Sequence, residues 1–64
     1  MKSQSDIAIE SCYLMARENG VHSSDFKQGL IIGQINALYL FREKTNAELD
    51  AVREELKEII AKYK

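Results

Sequence analysis

The sequence contains no proline and no tryptophan, only three glycines and a single cysteine, Cys12. One cysteine cannot form an internal disulfide, and the only histidine, His22, completes no ligand set for a structural metal. A chain of this length buries only about 60% of the surface that its unfolded form exposes, so its core is small. We therefore expect tightly packed helices that are stabilised further by association with another chain.

Charge of one sign and long apolar runs are also lacking. The net charge is −1, and acidic and basic residues are mixed along the chain, which excludes the basic arm that drives non-specific nucleic-acid binding. The longest apolar stretch, residues 30–41, is interrupted by Gln34 and Asn36 and is shorter than the roughly 20 residues that a membrane span needs. The first residues lack the apolar stretch of a secretory signal. Together with a free thiol, this predicts a cytoplasmic protein without membrane contact.

Apolar residues recur at helical spacing in three segments, which predicts an all-α fold with a single domain over residues 1–64. The first helix is expected over about residues 5–19. Asn19 and Gly20 indicate its end, because glycine readily adopts the left-handed conformation that ends helices. Cys12 lies in the middle of this helix and away from any base, so we interpret it as a core residue.

The second helix is expected over residues 24–43 and is the most apolar part of the chain. Apolar groups surround most of it, which is typical of a buried central helix. Gly29 and Gly33 lie four residues apart within it, and each costs about 1 kcal/mol relative to alanine in a helix interior. We interpret this pair as a place where another backbone passes close to the helix.

The third helix is expected over residues 46–62, because Thr45 and Glu48 match the capping-box pattern. Its apolar residues recur at alternating spacings of three and four, which is a heptad seam, and the same register continues backwards into the second helix. Two interpretations follow. A break near Thr45 gives three separate helices and is favoured, whereas one continuous rod would need a dimeric or tetrameric bundle to cover it.

An apolar interaction surface is the functional feature that the sequence predicts. One helix cannot bury all the apolar groups of residues 38–41 against two short neighbours, and exposed apolar patches mark interfaces. We therefore expect a homodimer that forms through the second and third helices and that presents a helical face to an unidentified larger protein. The residues expected to bind the partner are Ile35, Leu38, Tyr39, Phe41, Leu49, Val52, Leu56 and Ile59.

A different function is suggested by the segment that joins the first two helices, over about residues 12–30. It has a small residue four positions before a glycine and apolar residues after that glycine, at Ala16, Gly20, Val21 and Phe26. In this pattern it resembles the helix-turn-helix family of DNA-binding regulators, although Asn19 and Gly29 depart from the pattern. The resemblance implies that bases would be contacted by Ser23, Ser24, Lys27 and Gln28.

The sequence contains no recognisable catalytic constellation. Glu54, Glu55 and Glu58 are interleaved with basic residues on one helix face, which is typical of a solvated surface. Cys12 and His22 fall in different elements, and the paired glycines lie inside a helical run instead of a phosphate-binding loop. We therefore expect a non-enzymatic adaptor, inhibitor or regulator that uses no cofactor, metal or small-molecule substrate.

Overall fold

The computed structural model describes residues 2–18 and 23–63, and within them it has three α-helices and one short 3-10 helix. Helix α1 is Gln4–Ala16, α2 is Ser24–Ala37 and α3 is Asn46–Lys62. The 3-10 helix η1, Leu38–Phe41, directly continues α2. The predicted all-α class and the three-helix layout are confirmed.

Each α-helix begins at a hydroxyl side chain that satisfies a free backbone N–H group. At α1, Ser3 Oγ accepts from Asp6 N at 3.1 Å, and Ser3 N donates to the Asp6 carboxylate at 3.4 Å. At α3, Thr45 Oγ1 accepts from Glu48 N at 3.1 Å, and Thr45 N donates to Glu48 Oε1 at 3.2 Å. Ser23 caps α2 with its hydroxyl alone. The capping box predicted at the start of the third helix is confirmed, and α1 has another.

The break between α2 and α3 is made by η1 and the residue after it. Arg42 has φ 57° and ψ 27°, in the left-handed region, and its N–H donates to the Tyr39 carbonyl oxygen at 3.2 Å. Thr45 then starts α3, which packs back against α2. The second and third helices are therefore separate, and the interpretation as one continuous rod is wrong.

Two helix ends differ from the prediction. Helix α1 ends at Ala16 and not near residue 19, because the next residues turn: Glu18 N donates to the Met15 carbonyl oxygen at 3.2 Å. The stop predicted at Asn19 and Gly20 lies outside the described residues. The α-helical part of the second helix ends at Ala37, because its last turn tightens into a 3-10 helix, a frequent form of helix ends.

The core lies where the three helices meet. Eight apolar residues there are at most 4% exposed: Cys12, Ala16, Ile31, Ile35, Leu38, Leu49, Leu56 and Ile60. The heptad seam predicted for the second and third helices therefore forms the core of a single chain. Ile60 replaces Ile59 at the end of the buried stripe, because a straight α-helix has 3.6 residues per turn and drifts from a 3.5-residue repeat.

The paired glycines of α2 do not mark a close approach within the chain. A Cβ atom built on Gly29 or Gly33 would meet no atom of the described residues within 4 Å outside its own helical turn. Both glycines lie on the exposed side of the helix. No other described segment of this chain passes close to them, so that interpretation is wrong for the single chain.

Replacing Arg42 by glycine should stabilise the chain. Left-handed φ and ψ cost a non-glycine residue about 1–2 kcal/mol, and the greater freedom of glycine in the unfolded chain offsets part of the relief. We expect Arg42→Gly to raise the free energy of unfolding by about 0.5–1 kcal/mol in urea titrations of dilute protein followed by circular dichroism. Arg42→Ala keeps the Cβ atom and is the control. An equal gain in that variant would mean that loss of the guanidinium is responsible.

Candidate interaction surface

The described chain exposes more large apolar side chains than the six leucine and isoleucine side chains that it buries. Seven large apolar side chains are 39–70% exposed: Ile7, Leu14, Phe26, Leu30, Tyr39, Leu40 and Phe41. Single exposed apolar residues are common on soluble proteins. Five of these seven, however, lie on α2 and η1, which makes that part of the surface the candidate interaction site.

Helix η1 exposes three of these side chains in succession. Leu38 is 4% exposed, whereas Tyr39, Leu40 and Phe41 are 59%, 67% and 49% exposed. Since a 3-10 helix has three residues per turn, the two residues after Leu38 must point away from the core. Phe41 comes one full turn after Leu38 and is the most covered of the three. We call Tyr39, Leu40 and Phe41 the η1 triad.

The predicted partner-binding residues divide between the surface and the core. Two of them, Tyr39 and Phe41, belong to the η1 triad and are accessible. Val52 and Ile59 are partly buried and pack against the core. The other four are at most 4% exposed and contact the helices of their own chain: Ile35, Leu38, Leu49 and Leu56.

Three accessible residues of the surface, Phe26, Leu30 and Leu40, were not among the predicted partner-binding residues. The heptad pattern did not include them, because that pattern follows the most continuous apolar stripe, which the chain buries itself. A signal does exist in the sequence. Phe26, Leu30 and Leu40 belong to a second stripe of the same spacing on the other side of the second helix.

The residues considered for DNA contact do not form a basic surface. Ser23 uses its hydroxyl to cap α2. Lys27 is 1% exposed, and its ammonium donates to the Glu18 carbonyl oxygen just after α1. Lys27 thus ties the end of α1 to the start of α2 and is not placed to bind phosphate. Ser23 and Gln28 are exposed, and Ser24 is partly exposed.

Polar contacts hold the segment after η1 against the start of α1. Glu43 accepts a hydrogen bond from Ser5 N at 3.2 Å, and Lys44 Nζ lies 2.8 Å from Asp6 Oδ1. Hydrogen bonds from Ser3 and from Ser5 N lower the pKa of Glu43, and the hydrogen bond from Lys44 lowers the pKa of Asp6. We call these contacts the N-terminal clamp. Glu43 and Lys44 follow the η1 triad closely, so the clamp constrains the chain just after the triad.

The cysteine considered as a nucleophile lies in the core. Cys12 is 2% exposed, and its thiol contacts Gln34 Oε1 at 3.5 Å. Burial raises the pKa of the Cys12 thiol, which disfavours the reactive thiolate at neutral pH. Cys12 is thus a core residue, as predicted. Over residues 2–18 and 23–63 the structure has no pocket and no group of three side chains suited to bind a metal ion.

Comparisons with protein-family models, with curated proteins and with solved structures gave no match to this chain. The surface must therefore be interpreted from its own residues. In the part of the chain that the structure describes, no helix has both the length and the apolar character that crossing a membrane requires.

The stability of the fold should fall in acid as the N-terminal clamp is protonated. The folded pKa values of Asp6 and Glu43 lie below their ordinary values, so the two carboxylates stabilise the fold above the ordinary carboxyl range. That contribution is lost as the pH falls through the lowered pKa values, below about 4. We expect the free energy of unfolding, measured in urea at several pH values, to fall less steeply in Asp6→Asn/Glu43→Gln than in the wild type.

Lys44→Met provides the matched variant for this pH series. It removes the cation beside Asp6 but leaves the hydrogen bond between Ser5 N and Glu43. Its pH dependence should therefore lie between those of the wild type and the double variant. Identical slopes in all three proteins would show that the clamp does not contribute to acid sensitivity.

Proposed function

We propose that this chain is a non-enzymatic protein-interaction module of the cytoplasm, an adaptor, inhibitor or regulator. It forms a homodimer through the apolar face of α2 and η1, and it presents the same face to a larger protein when the dimer dissociates. The observation that carries the proposal is the concentration of five exposed large apolar side chains on these two elements. Full burial of one such side chain contributes about 1.5–3 kcal/mol, so covering this face favours association.

The distribution of charge supports the same face. The only charged residue between positions 26 and 41 is Lys27, which is buried. Helix α3, in contrast, carries exposed charged groups at Asp50, Glu54, Lys57 and Glu58, as a solvated helix does. Interface cores are depleted in charged residues, so the uncharged surface of α2 and η1 is the part of the chain that is suited to contact another protein.

The small size of the core gives a physical reason for association. Eight buried apolar residues are the whole of the described core, and a core of this size contributes only a few kcal/mol of net stability. A partner that binds only the folded chain adds its binding free energy to that stability. Assembly through the η1 triad would thus stabilise the fold as well as recognise the partner.

Replacing Tyr39, Leu40 and Phe41 together by serine should abolish self-association without unfolding the chain. All three side chains are at least 49% exposed, so their loss removes little of the core. Sedimentation equilibrium over a wide concentration range should show a wild-type dimer and a monomeric variant, with equal helicity in circular dichroism. Leu14→Ser is the matched control, because Leu14 is 70% exposed but lies on α1.

The larger partner is tested by pull-down with the tagged wild type and the triad variant, with and without nuclease. A stoichiometric protein that survives nuclease and is lost with the triad variant would support the proposed function. Partners that disappear after nuclease treatment would favour the DNA-binding alternative instead. A monomeric wild type that retains no partner through the triad would contradict the proposal.

A further inference from the structure

The outer side of α2 carries a second apolar stripe, which we call the outer seam. Its members are spaced by four, three, four and three residues: Phe26, Leu30, Gly33, Ala37 and Leu40. All five positions are exposed, and the three large side chains are 39–67% exposed. This spacing is that of a helix that packs along another helix, and it is displaced from the buried stripe of Ile31 and Ile35.

We propose that the outer seam packs, antiparallel, against the outer seam of a second copy of this chain, with the two-fold axis near Gly33. This inference rests on the proposed function and specifies how its homodimer forms. A two-fold interface brings the same surface of both copies together. With the axis at Gly33, Phe26 of each copy packs beside Leu40 of the other, and the two Gly33 residues face each other.

The glycine at the proposed axis packs against no other described segment of its own chain. Glycine is among the weakest helix formers, yet a Cβ atom on Gly33 would meet no atom of the described residues within 4 Å outside its own helical turn. The packing of the single chain thus does not explain a glycine here. On a two-fold axis the same position faces its own copy, and the missing side chain lets the two helix backbones approach closely.

The charges at the ends of the seam favour the antiparallel orientation. Asp25 and Arg42 flank the seam, and both are exposed. The antiparallel arrangement places Asp25 of each copy near Arg42 of the other copy, and symmetry makes this pair twice. A parallel arrangement would place Asp25 beside Asp25 and Arg42 beside Arg42, which is repulsive. Exposed pairs contribute little to affinity, but they discriminate between the two orientations.

The area of the seam suits a small homodimer. Phe26, Leu30 and Leu40 are on average about half exposed. At about 150–250 Å² for a large side chain, they leave roughly 300 Å² of apolar surface on each copy. Since about 65% of a homodimer interface is apolar, two copies would bury roughly 900 Å², which is the size of a weak, transient interface. A dimer that dissociates on dilution is expected.

A membrane surface is the other occupant that an apolar helix face suggests. Helices that lie on anionic membranes carry lysine and arginine along their polar side. Between positions 26 and 41 the only such residue is Lys27, and its ammonium is engaged by the Glu18 carbonyl oxygen. The charge pattern therefore favours a second copy of the chain over a membrane surface as the occupant of the outer seam.

Gly33→Glu tests the outer seam, because it should weaken the dimer without destabilising the monomer. Glutamate is a better helix former than glycine, Gly33 is exposed, and a Cβ atom there meets no other described segment, so the thermal midpoint of the monomer should not fall. In the dimer two carboxylates would meet at the axis, and we expect the dimer Kd from sedimentation equilibrium to rise more than about tenfold. Ala51→Glu adds the same charge at an exposed position of α3 and should leave the Kd unchanged.

Disulfide crosslinking tests the orientation. Cys12 is 2% exposed and can stay in place. Under mild oxidation Gly33→Cys should crosslink to itself, because only positions near a two-fold axis meet their own copy. Asp25→Cys should not crosslink to itself but should crosslink to Arg42→Cys when the two proteins are mixed.

The outcomes separate this inference from the proposed function. A wild-type dimer that persists in Gly33→Glu, or an Asp25→Cys protein that crosslinks to itself as readily as Gly33→Cys, would overturn the packing and leave the homodimer intact. A monomeric wild type that binds vesicles of neutral and anionic phospholipid through the seam would make the membrane its occupant. A monomeric wild type that binds a protein through the η1 triad would contradict the homodimer but would support the proposed role as a protein-interaction module.

Discussion

The reversal of the chain at residues 38–45 is the constraint on which the rest of the structure depends. Arg42 ends the second helix in the left-handed conformation, and Thr45 starts the third. Because of this reversal, α3 packs back against α2, and the apolar residues that could have lined one continuous rod form a core within the single chain. The conformation of Arg42 is unfavourable, and the contacts of Glu43 and Lys44 with the start of α1 help to hold it.

The reversal also determines which apolar side chains remain exposed to solvent. Helix α2 is apolar around most of its circumference, but in the described part of the chain only α1 and α3 are present to cover it. They cover Ile31 and Ile35 and leave the outer seam in solvent. Lys27 is the one charged residue of positions 26–41, and it is buried where its ammonium donates to the Glu18 carbonyl oxygen. The exposed face therefore has no charge of its own. A short chain with a very apolar central helix thus acquires an uncharged surface as a consequence of its own packing.

Local signals in the sequence predicted the elements of the fold, whereas the allocation of apolar residues depended on tertiary packing. Thr45 and Glu48 predicted the start of α3, because a capping box needs only residues close in sequence. The heptad register predicted a buried seam but assigned it to a partner, since the spacing is the same whether the same chain or another covers it. No local signal predicted that Lys27 would be buried or that residues 38–41 would tighten into a 3-10 helix. The crowding argument predicted only that part of the apolar area of residues 38–41 stays exposed, because it concerns how much area two neighbours can cover, and it did not say which side chains these are.

In the proposed function, the same face serves a second copy and a larger protein, so the two associations exclude each other. The homodimer must dissociate before the partner binds. An interface of this small area dissociates readily. The side chains that the dimer leaves exposed then decide which association prevails. Tyr39 is 59% exposed and lies off the outer seam, so a partner that also covers Tyr39 removes more apolar surface from water than a second copy does. That additional burial is what would let a larger protein displace the second copy.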